Sequence, residues 1–135
     1  MKKVVLLLSF LLIPLMADAN YELKLYEKIF PLIMKKPTLK VFVEDRYKDI
    51  FEDSEHILLV SNCRNADFIF AKNSSMLPNG CASKPIFATQ FKAFSQKNVF
   101  GVFYWKKGRP QLVFNKKTIQ EKGLVLPQSL AKYAY

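Results

Sequence analysis

The chain has 135 residues, half of them apolar and twelve of them Phe, with 21 Lys and Arg against 11 Asp and Glu for a formal charge of +10. That apolar content supplies a core and excludes an intrinsically disordered chain, and the length suits one domain rather than two. The charge favours acidic surroundings, but Lys35-Lys36, Lys106-Lys107-Arg109 and Lys116-Lys117 are dispersed rather than gathered into one arm, so no nucleic-acid partner is expected.

Residues 1–19 have the three parts of a secretory signal: Lys2 and Lys3, an apolar run from Val4 to Leu15 broken by Ser9 and Pro14, and the small-residue site Ala17-Asp18-Ala19. Cleavage is expected before Asn20. The alternative is a membrane anchor, but a span needs about 20 apolar residues and this run is shorter. Export implies the periplasm, where disulfides persist. Without Lys2, Lys3 and Asp18, 19 basic residues face 10 acidic ones over 20–135, a formal charge of +9.

Leu23, Tyr26, Ile29 or Phe30, and Ile33 are spaced as one stripe down a helix from Asn20 to Met34. Pro31 removes a backbone bond to Glu27, so this helix is expected to kink or stop near Phe30. A first strand follows over Leu39 to Val43, rich in β-branched and aromatic residues, then a short helix over Arg46 to Phe51. Ile57 to Val60, Ala66 to Ala71 and Ile86 to Thr89 read as further strands whose unbroken apolar runs suit a sheet covered on both faces. The residues between the third and fourth strands are just enough for a crossover between parallel neighbours.

Val99 to Trp105 and Pro110 to Phe114, joined by Lys106-Lys107-Gly108, have the pattern of an antiparallel hairpin. Asn115 is placed to cap a helix over Lys116 to Lys122 that turns Ile119 inward and closes at Gly123, and a last short helix begins at Pro127. The expected fold is a three-layer α/β single domain over residues 20–135, with a mostly parallel sheet and an antiparallel edge hairpin.

Cys63 and Cys81 each stand a few residues before a strand. If those strands are parallel neighbours, both thiols reach the same end of the sheet. An exported chain with an even cysteine count favours a disulfide over two separate buried thiols. The pair is not C-x-x-C, so thioredoxin-like chemistry is not expected, and with the lone His56 it forms no four-ligand zinc set. No G-x-S-x-G or H-E-x-x-H surrounds His56, which reads as a polar strand-end position. No cofactor, metal or enzymatic activity is expected.

Ligands of open parallel sheets bind beyond the carboxyl ends of the strands. Here that nominates Arg46, Ser74 and Ser75 as anion-binding candidates, with Ser74 and Ser75 opening a short helix or only capping it. Trp105 and Arg109, flanking the hairpin turn, are the candidates for partner contact, Arg and large aromatics being favoured at interfaces.

An ordered series of short motifs runs through the chain: Leu25-Tyr26-Glu27-Lys28-Ile29-Phe30, Cys63 ahead of an apolar strand, Lys84-Pro85-Ile86, Phe100-Gly101-Val102-Phe103, Gly108-Arg109, Phe114-Asn115, Gly123-Leu124-Val125-Leu126, and Leu130 to Ala134. In this order the chain resembles the YfiR-like family of small periplasmic proteins over most of its length after residue 19. The resemblance implies a non-enzymatic regulator, possible as a homodimer, that binds the periplasmic sensor part of an inner-membrane diguanylate cyclase and lowers cyclic di-GMP synthesis. It also implies a disulfide that keeps the partner-binding form folded. A stand-alone periplasmic domain holding an anion or other solute is the alternative.

Overall fold

A computed structural model of the chain describes residues 21–75, 77, 78 and 80–135. The expected signal sequence over 1–19 lies outside the described residues. The first helix, α1, covers 21–34 and presents Tyr26, Ile29, Phe30 and Ile33 as its buried stripe. It does not stop at Phe30. Ending there would unseat Ile33, whose burial contributes about 1.5–3 kcal/mol, and with Met34 beside it this offsets a proline penalty of about 3 kcal/mol. Pro31 instead takes part in closing the helix: its carbonyl accepts from the Lys36 N–H (3.2 Å) around Lys35, which takes a left-handed φ of 57°.

The strands are β1 (Leu39–Val43), β2 (Ile57–Leu59), β3 (Phe68–Ala71), β4 (Ile86–Ala88), β5 (Val99–Lys106) and β6 (Arg109–Phe114). They form one sheet in the order β2-β1-β3-β4-β5-β6, parallel throughout except for the antiparallel β5–β6 hairpin. The α/β class, the mostly parallel sheet and the edge hairpin therefore agree with the sequence pattern. A short helix, α2 (Lys116–Glu121), follows β6, with the Asn115 side chain accepting from the Thr118 N–H (3.2 Å) and Gly123 left-handed at its end. Most other connections are 3-10 turns, including Asp45–Phe51, Phe91–Ser95 and Gln128–Tyr133.

The β2–β3 connection is only residues 60–67, shorter than the dozen or so a parallel crossover usually needs. Register explains it. β2 lies along the first part of β1 (Leu39↔Ile57, Val41↔Leu59) and β3 along the last part (Val41↔Phe68, Val43↔Phe70). The chain thus leaves β2 at the level where β3 begins and has little backward distance to cover.

The two faces of the sheet are built from different side chains. One is aromatic, with Phe68, Phe70, Phe87, Phe100 and Phe114 under α1; Phe30 stands 4.6 Å from Phe68 and 5.0 Å from Phe87 between ring centroids. The other is small, with Ile69, Ala71, Ile86, Ala88, Val99 and Val102 beneath Cys63, Cys81 and Ala93. A helix packed on a sheet leaves a thick layer that large rings fill. The opposite face is covered by irregular segments whose backbone lies close, and small side chains permit that approach.

Cys63 and Cys81 are joined in a disulfide, with their Cα atoms 5.4 Å apart. It ties the β2–β3 connection to the β3–β4 connection ahead of two adjacent parallel strands. Lys84 reinforces the same junction, its Nζ donating to the Arg64 and Ala66 carbonyls at 3.2 and 2.9 Å. Such a bond is at home in an oxidising compartment. Among the described residues no helix is long and apolar enough to cross a membrane.

Candidate functional site

β1 and β3 lie side by side, yet the chain leaves them toward opposite faces. The link from β1 sends Tyr47 and Phe51 into the aromatic layer, and the link from β3 sends Leu77 and Cys81 onto the small-residue layer. Such a parting is a topological switch point, and it opens a crevice beyond the carboxyl ends of the two strands. The crevice holds about 400 Å³ and is lined by Phe42, Glu44, Asp45, Arg46, Lys72 and Ser75 among others.

Glu44 is its keystone. Its N–H donates to the Phe70 carbonyl (2.9 Å), one carboxylate oxygen accepts from the Lys72 N–H (3.0 Å), and the other pairs with Arg46 Nε. Lys48 donates a hydrogen bond to Asp45 and, with its charge, holds that carboxyl below the usual carboxylate range. Outside the crevice lining, the Tyr47 and Thr89 hydroxyls share a hydrogen bond of 2.7 Å. Two carboxylates and two cations therefore face one cavity, a balanced set that suits a dipolar solute better than a bare anion.

Arg46 and Ser75 line this crevice, but Ser74 is turned elsewhere. Its N–H and its hydroxyl both donate to Gln96 Oε1 at 2.8 Å, and the Ser75 N–H donates to Asn73 Oδ1 at 2.8 Å. The helix expected to open at Ser74 and Ser75 is absent among the described residues; these serines form a bend and turn. The cause is competition from side-chain acceptors, the neighbouring Asn73 for Ser75 and the distant Gln96 for Ser74, which take the loop amides that helical bonding would need.

A second concavity, of about 340 Å³, runs between α1, the β5–β6 hairpin and the Gln128–Tyr133 turn. Tyr21, Leu25, Phe103, Leu112 and Tyr133 line it, with Lys28 and Lys132 at its margin. Trp105 stands beside it, 6.0 Å from the Tyr21 ring and 5.7 Å from Phe103, with 42% of its surface open to solvent. Arg109 is exposed and pairs with Lys106 across the mouth of the turn. The structure thus brings both partner-contact candidates to one end of the hairpin, next to an aromatic groove. Sequence reasoning missed the groove. Its members come from α1, β5, β6 and the C-terminal turn, and nothing in their local spacing announces that they meet.

Lys36, Lys40, Arg64 and Lys84 gather around Asp67 at the amino ends of the strands. Asp67 accepts from Lys36 Nζ (2.7 Å) and from the Lys40 N–H (2.8 Å), which links the starts of β1 and β3. His56 is exposed, its N–H donating to Ser54 Oγ and its carbonyl accepting from the Leu39 N–H. Among the described residues no group of three His, Cys, Asp or Glu side chains is placed to hold a metal.

A comparison of the chain with models of protein families and with curated proteins finds no match. The likeness to the YfiR-like family rests on the order of the motifs alone.

Proposed function

We propose that this protein is a non-enzymatic regulator of the periplasm that docks on the sensor part of an inner-membrane diguanylate cyclase and represses it, as the resemblance to the YfiR-like family implies. The observation that carries the reading is the groove beside the hairpin, where Tyr21, Leu112 and Tyr133 line an open concavity floored by the buried Phe103 and the exposed Trp105 and Arg109 stand at its end. The Trp105 ring, held on β5 between Tyr21 and Phe103, loses little freedom on binding, which favours an interface. The disulfide supports an exported, oxidising setting.

Repression of this kind is a population shift. A repressor that binds the inactive sensor a hundredfold more tightly than the active one moves their ratio by about the same factor, and equal affinity moves nothing. The test is capture from solubilised membranes together with cyclic di-GMP measurement in a deletion strain. Recovery of a cyclase, and a rise in cyclic di-GMP that Leu112→Glu fails to reverse, is the expected result. Recovery of no cyclase with unchanged cyclic di-GMP refutes the reading.

The crevice at the switch point favours a second reading, a solute-binding domain in which Arg46, Lys72 and Ser75 hold the acidic part of a small molecule. A ligand at 100 times its dissociation constant adds about 2.7 kcal/mol of stability, so a thermal-shift screen of anionic and zwitterionic solutes separates the two.

A further inference from the structure

We infer that the tip of the β5–β6 hairpin is a contact for anionic lipid, seating the protein on a membrane surface. The inference does not depend on the cyclase reading. β4 pairs with β5 only as far as Val102, whereas β5 continues to Lys106, so the hairpin overhangs the parallel sheet. Its turn is Lys107-Gly108 with φ of 51° and 77°, the pair of positive values a tight two-residue connection needs. Three of the four residues at the tip, Lys106, Lys107 and Arg109, are cations, and all are exposed.

Exposed aromatics surround the overhang on both faces. On one, Trp105 (42% exposed) meets Tyr21 (45%); on the other, Phe91 (56%) lies 5.3 Å from Tyr104. Trp and Tyr gather at membrane interfaces because their rings are apolar and their edges polar, and cations beside them meet lipid phosphates. The shape is convex: a Cβ built on Gly108 has nothing within 4 Å. A projecting ribbon of this kind enters a headgroup layer, whereas a peptide partner is better clasped by a groove.

The wider charge pattern points the same way. From Lys72 to Tyr135 the chain has eleven Lys and Arg and one acidic residue, Glu121, while six of the ten acidic residues of 20–135 lie between Glu44 and Glu55. The half of the chain that holds the hairpin is therefore complementary to an anionic surface.

Trp105 is the only Trp, so its fluorescence reports on the tip directly. The purified, disulfide-bonded protein is titrated at low salt with vesicles of phosphatidylcholine alone and of phosphatidylcholine mixed with phosphatidylglycerol. A blue shift with the anionic vesicles only is expected. Lys106→Gln/Lys107→Gln/Arg109→Gln should weaken partitioning about a hundredfold, at roughly fivefold per cation near the surface. Lys97→Gln/Lys116→Gln/Lys117→Gln removes equal charge from exposed positions at the opposite end of the hairpin and should stay within about fivefold of the natural chain. The inference is overturned by no shift with either vesicle or by equal losses in the two triple variants. An equal shift with soluble polyglutamate also overturns it and points to an acidic protein partner.

Discussion

Gly101 should resist replacement by the smallest possible step. It sits on β5 opposite Phe87 of β4 and Phe114 of β6, and a Cβ built on it would lie 2.9 Å from Phe114 Cδ1 and 3.0 Å from Phe87 Cε2. Both rings are fully buried, so neither can swing away into solvent. The Gly101 backbone is not in the left-handed region, which makes the penalty steric rather than conformational. Overpacking of this kind costs about 1–3 kcal/mol. Replacing Gly by Ala also stiffens the unfolded chain and returns about 0.4–1 kcal/mol. The net for Gly101→Ala is a loss of about 1–2 kcal/mol, which lowers the melting temperature by about 4–8 °C for a domain of this size. Urea unfolding of Gly101→Ala, Phe114→Leu and the double variant measures the coupling. The narrower Leu should relieve most of the Gly101→Ala penalty. A Gly101→Ala protein as stable as the natural one, or penalties that simply add, refutes the close packing of these three residues.

Reduction of Cys63–Cys81, separated by 18 residues, should remove about 3 kcal/mol by loop entropy, read as a lower urea midpoint in reductant. Lys84→Met keeps the aliphatic stem but strips the two donated bonds from the Arg64 and Ala66 carbonyls, and should cost about 1 kcal/mol in the same assay. Burial, with Glu22 beside the hydroxyl, pushes the Tyr26 phenol well above a tyrosine's usual value. Below pH of about 10 the phenol is neutral in both states and nothing is lost; above it the unfolded chain ionises first, so stability falls as pH rises toward the folded value. Tyr26→Phe should remove this share of the alkaline slope, up to about 1.4 kcal/mol per pH unit, as followed by unfolding at stepped alkaline pH.

The strands were legible because they are apolar and β-branched or aromatic runs bounded by polar or turn residues, unbroken in β2, β3 and β4, as Phe68–Ala71 is bounded by Asp67 and Lys72. The hairpin and the Asn115 cap were legible because their signals are local. Pro31 misled for the reason that a local rule weighs only the lost hydrogen bond, whereas burial of Ile33 under the aromatic layer decides the outcome. Ser74 misled in the same way, its donors being claimed by Gln96, 22 residues away. The crevice was half legible: Arg46 and Ser75 follow from strand ends, but the carboxylate of Glu44 that neutralises Arg46 shows only in the fold. The groove was not legible at all, since Tyr21, Leu112 and Tyr133 meet only through the packing of α1 and the C-terminal turn on one face.

The disulfide and the groove occupy opposite faces of the sheet, and this decides what a redox change does. Cys63 and Cys81 belong to the small-residue layer, while Phe103 and Leu112 pack with α1 in the aromatic one. Cutting the bond frees the connections 60–67 and 72–85 but leaves the rings that hold α1, β5 and β6 in contact. Local opening follows contiguous packed units, so hydrogen exchange after reduction should quicken in those two connections and stay nearly unchanged over Val99–Lys106 and Arg109–Phe114. The protein then keeps a formed groove while losing overall stability, and the bond acts as a staple rather than a switch on that surface. Equal loss of protection in the hairpin would reverse this conclusion and make the thiols a route by which a redox change reaches the groove.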